Sequence, residues 1–578
     1  MEMKRHGVLM ILFVGMATMG FAQRNDAELA DPHPGQQEAW KSLKDISLSW
    51  GSTDRRYSRS QVAEGQKSIT LYAWRGERVA AQAVVSTPRD IKRMTIGVSD
   101  LKGRRGNVIK ASEIEKYFVR YTLSDVKELH GDTMLVADRL EWAEEMAVAG
   151  NTTRPVWIDI KVPTETKAGR YRGFLTVNCD EQKMALPLVV EVAERVLPEP
   201  KDWAFHLDLW QNPYAVARYF DVPLWSKEHF DRMRPVMQRY ADAGGKVITT
   251  SIIEHPWNGQ TYDPFESMIG KMKQVDGTWR YDYTVFDRWV EFMMGLGVTE
   301  QIDCYTIVPW HYQFEYYDCA TNSVKHLKCR PQSEEYREFL LPLLKDFAQH
   351  LKRKGWFSRT CIAMDERPMD QLEAAWKVVT EADPEYRIEG AANYNIDQGS
   401  IGAKMYDISV GYQYDLFGQE VLKSRRESGQ KLTFYTCCGP FVPNTFTLSG
   451  PAEAEFLGWH AAAIGYDGYL RWAFNSWGEK PCQDARFGGW LSGDAFLVYP
   501  EGTSIRFERL TEGIQQYEKI RILRETATEE QLAELEAVLG RMRFTEADDD
   551  FDFAGLVGEA RRCMKGSSRG VQREFKGS

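Results

Sequence analysis

Two carboxylates stand side by side at the end of an apolar run, Thr360-Cys361-Ile362-Ala363-Met364-Asp365-Glu366-Arg367-Pro368. The run reads as a buried β-strand of small and apolar residues, and proline ends it by withdrawing a ladder donor. Asp365 and Glu366 therefore fall where a strand becomes a loop, the place at which barrel enzymes carry their catalytic groups. Strand side chains alternate between faces, but the backbone can turn enough at a strand end for two neighbours to converge. The pair is a candidate acid/base dyad. A bare Asp-Glu dipeptide is more often solvated surface, so the reading depends on what surrounds it.

After Pro200 the chain repeats strand, loop and helix. Eight strand-like runs begin at Trp203, Val247, Ile302, Thr360, Arg387, Ile408, Leu432 and Gly468. Stretches with three- and four-residue apolar spacing lie between them, among them 227–243, 334–354, 371–382 and 453–464, and residues 505–523 read as a closing helix. This rhythm predicts a (β/α)8 barrel over residues 201–525. An open doubly wound sheet fits less well, because no Gly-rich phosphate loop follows an early strand.

Upstream, residues 40–198 hold short runs with period-two alternation at 68–74, 80–86, 155–162, 169–177 and 184–192. They predict an antiparallel β-sandwich, with the run at 169 pairing with the run at 155 across Pro163 to Ala168. Leu197-Pro198-Glu199-Pro200 is a stiff linker. Residues 526–578 are expected to form a helical extension, with helices over 529–543 and 553–564 and a disordered end. The fold class is thus multidomain, β followed by α/β.

In a barrel the carboxyl ends of all strands open on one face. The candidates for substrate binding there are His206 and Asp208 on the first strand, Trp257 after the second, and Tyr305 and Trp310 at the third. Asn393 ends the fifth, Tyr412 and Tyr414 the sixth, Tyr435 the seventh, and Trp472 and Asn475 the eighth. Together they describe a polar pocket with aromatic walls and no metal set. The 18 Trp and 26 Tyr suit this reading, because the C–H faces of sugar rings stack on such side chains. A net charge of −10 without long charged blocks favours neither nucleic acid nor an anionic membrane as partner.

Glycoside hydrolysis is the chemistry that fits. It needs a proton on the leaving oxygen and stabilisation of the positive charge growing at the sugar carbon. Adjacent carboxylates cannot easily flank the bond as separate nucleophile and acid. They suit a route in which the nucleophile is the substrate's own 2-acetamido carbonyl. Glu366 then serves as acid and later as base, while Asp365 holds the amide N–H and stabilises the oxazolinium-like charge. Two alternatives stay open. One is a barrel glycosidase with a protein nucleophile such as Glu254 or Asp208, and the other is a glycan-binding protein without turnover.

Lys4 and Arg5, the apolar run Val8 to Val14 and Gly20-Phe21-Ala22 have the layout of a cleaved export signal over residues 1–22. The run is too short to span a bilayer, so a periplasmic or secreted protein without an integral membrane segment is expected. Nine cysteines include no Cys-x-x-Cys. A Cys319–Cys329 disulfide is preferred over a zinc site at Cys319, His326 and Cys329, which lacks a fourth ligand. Cys437 and Cys438 read as small apolar residues on a buried strand.

The chain resembles glycoside hydrolase family 123, bacterial β-N-acetylgalactosaminidases, over about residues 45–525. The segments that carry the resemblance are Met364-Asp365-Glu366-Arg367-Pro368, the stretch from Gly468 to Trp477, and Gly493-Asp494-Ala495-Phe496-Leu497-Val498-Tyr499-Pro500. The resemblance implies an exo-acting, retaining enzyme without cofactors that releases terminal β-linked GalNAc, with glycosphingolipid glycans as familiar substrates. It implies Asp365 as oxazolinium stabiliser and Glu366 as acid/base. The sandwich offers no aromatic platform beyond Trp74 and Trp142, so a packing role is expected for it.

Overall fold

The computed structural model describes residues 27–34, 38–126, 129, 131–391, 396, 399–414 and 416–568. The expected export segment and the chain end after Ser568 lie outside these residues.

The amino-terminal half is a sandwich of two sheets. One has the order Ser47–Gly51, Arg78–Thr87, Thr152–Lys161, Ile114–Asp125, Thr133–Glu141. The other runs Ile69–Arg75, Gln182–Val196, Gly169–Cys179, Ile91–Val98, Met146–Val148. Alternation decides the facing: in Gly169–Cys179, Tyr171, Leu175, Val177 and Cys179 are buried while Arg172 and Phe174 face solvent. Pairing is antiparallel except between Gln182–Val196 and Ile69–Arg75.

One expected pairing is wrong. Thr152–Lys161 pairs with Arg78–Thr87 and Ile114–Asp125, whereas Gly169–Cys179 pairs with Gln182–Val196 and Ile91–Val98. The connector through Pro163 is too long for a tight hairpin and carries the chain from one sheet to the other. The tight turn is instead at Asp180-Glu181, where Asp180 adopts φ 52°.

The barrel strands are β1 (His206–Leu209), β2 (Val247–Ser251), β3 (Gln301–Tyr305), β4 (Thr360–Met364), β5 (Arg387–Ala391), β6 (Asp407–Gly411), β7 (Lys431–Tyr435) and β8 (Gly468–Arg471). Each strand from β2 to β8 pairs in parallel with its sequence neighbour, and β8 pairs with β1. All eight expected runs are strands, and helices cover their outer faces, so the strands are buried almost throughout, with polar residues such as His206, Asp208, Asp303, Glu389 and Asp407 turned into the barrel. Between β1 and β2 the ladder is thin. Lys246 N donates to Leu207 O at 3.0 Å, and side chains supply the rest. Gln211 Nε2 donates to Val247 O at 3.2 Å and its Oε1 accepts from Thr249 N at 2.9 Å, while Tyr240 O–H donates to both Leu207 O and Val247 O.

The loops after β2 and β3 build a small sheet not foreseen from the sequence, in the order Trp279–Asp282, Gly270–Lys273, Gln313–Asp318, Ser323–Lys328. Its strands are short and half-exposed, so they lack the apolar signal of the barrel. This sheet also overturns the expected disulfide. In the hairpin Asp318 faces Ser323 and Gln313 faces Lys328, which puts Cys319 at the turn and Cys329 at the open end. At about 3.3 Å per residue they stand about 20 Å apart, far beyond disulfide reach, and both thiols are free.

Sandwich and barrel share structure. Gly502–Ser504, after the last barrel strand, adds to the edge strand Thr133–Glu141 of the sandwich. The helix Ile505–Thr526 follows directly, and its Arg506 Nε meets Asp138 at 2.9 Å and its Lys519 meets Glu77 at 2.6 Å, all buried. Helices Glu529–Gly540 and Phe553–Ser567 close the chain against the barrel helix Pro451–Ile464. Trp74 is consequently not a platform: it is fully buried, and its Nε1 donates to Ser568 Oγ at 3.0 Å. Trp142 is exposed. Among the described residues no helix is long and apolar enough to cross a membrane.

Candidate active site

The strand β4 ends at Met364, and Pro368 caps the helix Met369–Ala382. Asp365 and Glu366 occupy the short turn between them. Asp365 is buried: its Oδ2 accepts from Trp310 Nε1 at 2.7 Å and its Oδ1 from the Glu366 N–H at 2.8 Å. Burial pushes its carboxyl up to about 6, and the two hydrogen bonds limit the rise. Glu366 is exposed to the cavity, where the Tyr435 hydroxyl donates to its Oε1. Burial and the neighbouring Glu366 charge push the Tyr435 phenol well above its ordinary range, so it stays a donor. The Arg367 guanidinium lies over Trp310 at 4.6 Å and Tyr312 at 4.7 Å, locking the turn from behind.

A cavity of about 200 Å³ opens above this turn. Its walls are Trp210, Trp310, Tyr435, Trp472 and Trp490, with Gln260, Ala391, Cys437, Cys438 and Leu470 completing the lining. Trp472 Nε1 donates to Asp494 Oδ1 at 3.0 Å, and Arg471 Nη2 donates to the same oxygen at 2.8 Å. Trp490 packs on Trp472 with ring centroids 5.5 Å apart, its Nε1 donating to Gln260 O at 3.1 Å. Wider clefts of about 320 and 290 Å³ occur elsewhere, at the sandwich junction, but they are lined by charges already paired with one another, such as Arg78 with Asp159 and Glu508. The smaller cavity is the one at the carboxyl ends of the barrel strands, where Asp365 and Glu366 meet four tryptophans.

The structure brings Asp365, Glu366, Trp310, Tyr435 and Trp472 together in this cavity and leaves the other expected binding residues that are described out of its lining. His206 begins β1, so it lies at the closed end of the barrel, where its Nε2 meets Asp407 Oδ2 at 2.9 Å. Burial alone would lower the His206 pKa, but Asp407 and Glu300 outweigh it and raise it to about 10. Asp208 is one inward position higher and fully enclosed, and its Oδ2 accepts from Trp210 Nε1 at 3.3 Å. Tyr305 is buried with its hydroxyl donating to Glu389 at 3.2 Å, and Trp257 stacks behind Trp210 at 5.0 Å. Tyr412 turns outward, its hydroxyl donating to Phe544 O at 2.8 Å in the carboxyl-terminal extension. Tyr414 is exposed outside the lining. Asn475 is buried in a reciprocal pair with the Asn212 backbone, 2.8 Å in each direction. Asn393 lies outside the described residues.

Trp490, Gln260 and the cysteine pair are lining residues absent from the expected set, whereas Trp210 ends the first strand-like run with His206 and Asp208 and lies in the lining as a strand-end residue should. Trp210 carries a sequence signal, since it is next in the inward series after His206 and Asp208. The others sit on loops distant in sequence. Cys437 and Cys438 also depart from expectation: β7 ends at Tyr435, so they lie on a loop, Cys437 half-buried and Cys438 exposed.

Beneath the cavity, Asp208, Asp303 and Glu389 bring carboxylate oxygens within 4.8 Å of one another, the one such grouping among the described residues able to offer ligands to a metal. The set is all oxygen, suited to a hard cation. Burial pushes all three carboxyls upward, Asp208 to about 7, and the Asp407 charge adds to the rise of each, with Asp208 also repelling Asp303 and Glu389. Two of the three also hold the cavity floor, Asp208 accepting from Trp210 Nε1 and Glu389 from the Tyr305 hydroxyl.

The family model of the glycoside hydrolase 123 catalytic domain matches residues 210–523, and that of the glycoside hydrolase 123 N-terminal domain matches residues 50–179. No curated protein matches the chain. Among solved structures, a family 123 glycoside hydrolase from Clostridium perfringens superposes with TM-score 0.84 at 27% identity, covering 91% of this chain and 98% of the other. A GH10 xylanase with a bacterial Ig-like domain from termite gut reaches TM-score 0.31 at 12% identity over 78% of this chain and 100% of its own, and carries no argument. Two barrel-mouth carboxyls in an aromatic cavity accord with the family match, which covers more than half of the chain: it belongs to glycoside hydrolase family 123 and is a glycosidase.

Proposed function

We propose that the protein is a retaining exo-β-N-acetylgalactosaminidase that uses the substrate's 2-acetamido group as nucleophile through an oxazoline intermediate. One observation carries the reading: among the described lining residues, Asp365 and Glu366 are the carboxyls, and they are adjacent. The protein nucleophiles otherwise considered do not line the cavity. Asp208 is enclosed below it, and Glu254 is buried beside Lys271 at 4.0 Å. In this reading a terminal GalNAc lies between the tryptophan walls. Glu366, reachable from solvent and oriented by Tyr435, protonates the leaving oxygen and later activates water. Asp365, held by Trp310, accepts the amide N–H and faces the growing oxazolinium charge. The Clostridium perfringens relative was analysed for glycolipid glycan hydrolysis, which supports glycosphingolipid-type oligosaccharides as the substrate class. Export to the periplasm or medium, read from residues 1–22, belongs to the same proposal.

The test is hydrolysis of three 4-nitrophenyl glycosides, β-GalNAc, β-GlcNAc and β-galactoside. Cleavage of the β-GalNAc compound is expected with none of the galactoside. Comparable cleavage of the galactoside overturns acetamido assistance, and a preference for β-GlcNAc overturns the assigned sugar.

The pH profile gives a second check. Asp365 acts as the anion, so kcat/KM should fall as pH drops through about 6, the value to which burial pushes its carboxyl. Trp310→Phe removes a hydrogen bond to the charged form and should move this acid limb upward by about one pH unit. A limb that stays in place in the variant, or that lies near the ordinary aspartate value in the parent, contradicts the role given to Asp365.

A further inference from the structure

The loop after β7 places two adjacent thiols on the rim of the catalytic cavity. Cys437 Sγ and Cys438 Sγ are 3.6 Å apart, and both line the cavity with Asp365 and Glu366. The other seven cysteines are buried or half-buried, and Cys438 is the exposed one. The loop is held firmly: Asn444 Nδ2 donates to Cys437 O at 2.9 Å, and the buried Arg471 donates to Asn444 Oδ1 at 2.9 Å and to Thr436 O at 3.2 Å. A dithiol on an anchored loop meets a bridging atom without first paying to order itself.

The spacing selects what can bridge it. Neighbouring Cα atoms are about 3.8 Å apart, short of the separation an ordinary disulfide spans, so closing this pair to a disulfide costs strain. One soft atom bonded to both sulfurs, three-coordinate and pyramidal in the case of trivalent arsenic, bridges sulfurs that already stand 3.6 Å apart with little movement of either. The hydrogen bond between the sulfurs also brings the Cys438 thiol down to about 7 and pushes the Cys437 thiol up, so the exposed sulfur supplies the thiolate and its neighbour follows.

We propose that Cys437 and Cys438 form a two-thiol capture site for soft, thiophilic centres such as trivalent arsenicals, and that its occupation closes the catalytic cavity. With an organoarsenic oxide, two As–S bonds form, and the oxide oxygen leaves as water with the two thiol protons. Arsenic stays trivalent and no electrons are transferred. The organic group then fills the space beside Glu366. The inhibitory half of the proposal rests on the function proposed above, whereas the capture half does not.

Phenylarsine oxide is the probe. One equivalent should add a single phenylarsenic group by intact mass, remove two titratable thiols, and block hydrolysis of 4-nitrophenyl β-GalNAc. 2,3-Dimercaptopropanol should restore activity where an equal concentration of a monothiol does not. Cys437→Ser and Cys438→Ser, each compared with its own untreated rate, should need about 100-fold more probe, because the second attachment supplies that gain in effective concentration. Capture that persists in Cys438→Ser overturns the site, and a two-thiol adduct that hydrolyses at the untreated rate overturns the closure. If the untreated protein cleaves no glycoside, the proposed function fails, while mass and thiol counts still decide the capture site.

Discussion

Glu366→Gln is expected to lower kcat/KM for an oligosaccharide ending in β-GalNAc by about a thousandfold, within the range for losing a general acid. The same change should cost much less with a nitrophenyl aglycone, which departs without a proton. The contrast is sharp because kcat/KM reports cleavage of the glycosidic bond and leaves the later attack of water aside. Glutamine keeps the shape and an acceptor for the Tyr435 hydroxyl, so the variant should fold as the parent does. Both substrates are to be measured with the same preparations. Equal losses would remove Glu366 from the role of acid and leave it as a binding residue.

Asp365→Asn is expected to lose about a hundredfold to a thousandfold with both substrates, the magnitude of removing one preorganised group that stabilises transition-state charge. Leaving-group ability is irrelevant here, because the missing interaction is with the acetamido group and the oxazolinium charge. Asparagine keeps one acceptor oxygen, enough for either Trp310 Nε1 or the Glu366 N–H, and sets its carboxamide N–H against the other donor, so the fold of the variant is to be checked beside its activity. Loss of the buried charge and loss of one buried hydrogen bond oppose each other, so the thermal midpoint is expected to shift by only a few degrees, and a native circular dichroism spectrum is the control for folding. A variant that retains more than about a tenth of the activity, or that fails with only one aglycone, contradicts the assignment. The two substitutions therefore give different signatures, one dependent on the aglycone and one not.

Much of the fold was legible because local physics wrote it locally. Each of the eight strand-like runs after Pro200 is a barrel strand, since the positions that face the covering helices, such as Leu207, Ile302, Ile388 and Ile408, must be apolar. The five runs named in the sandwich are strands, but Ile91–Val98, Ile114–Asp125 and Thr133–Glu141 are not among them, and a local pattern does not state which strand lies beside which. The segment after Lys161 crosses between sheets, and that choice belongs to the packing of both faces at once. The small sheet at Gly270–Lys273 and Gln313–Asp318 went unread because half-exposed strands carry little apolar pattern. Its hairpin register then decided that Cys319 and Cys329 cannot meet.

For the site, the sequence by itself determined that two carboxyls end a buried strand, and that tryptophan and tyrosine crowd the same end of the barrel. Only the tertiary structure decided which of them share the cavity. His206, Asp208 and Trp210 lie on one inward face of β1, yet at about 3.3 Å per residue they occupy three depths, and only Trp210 reaches the mouth. Tyr412 continues the outward series of Ile408 and Val410, opposite to the inward Asp407, and its hydroxyl donates to Phe544 O in the carboxyl-terminal extension. Trp490, Gln260 and the Cys437–Cys438 pair come from loops, whose course depends on long-range partners such as the buried Arg471–Asp494 pair. Composition and spacing are properties of neighbours along the chain. Depth in a barrel and the meeting of distant loops are properties of the packed whole.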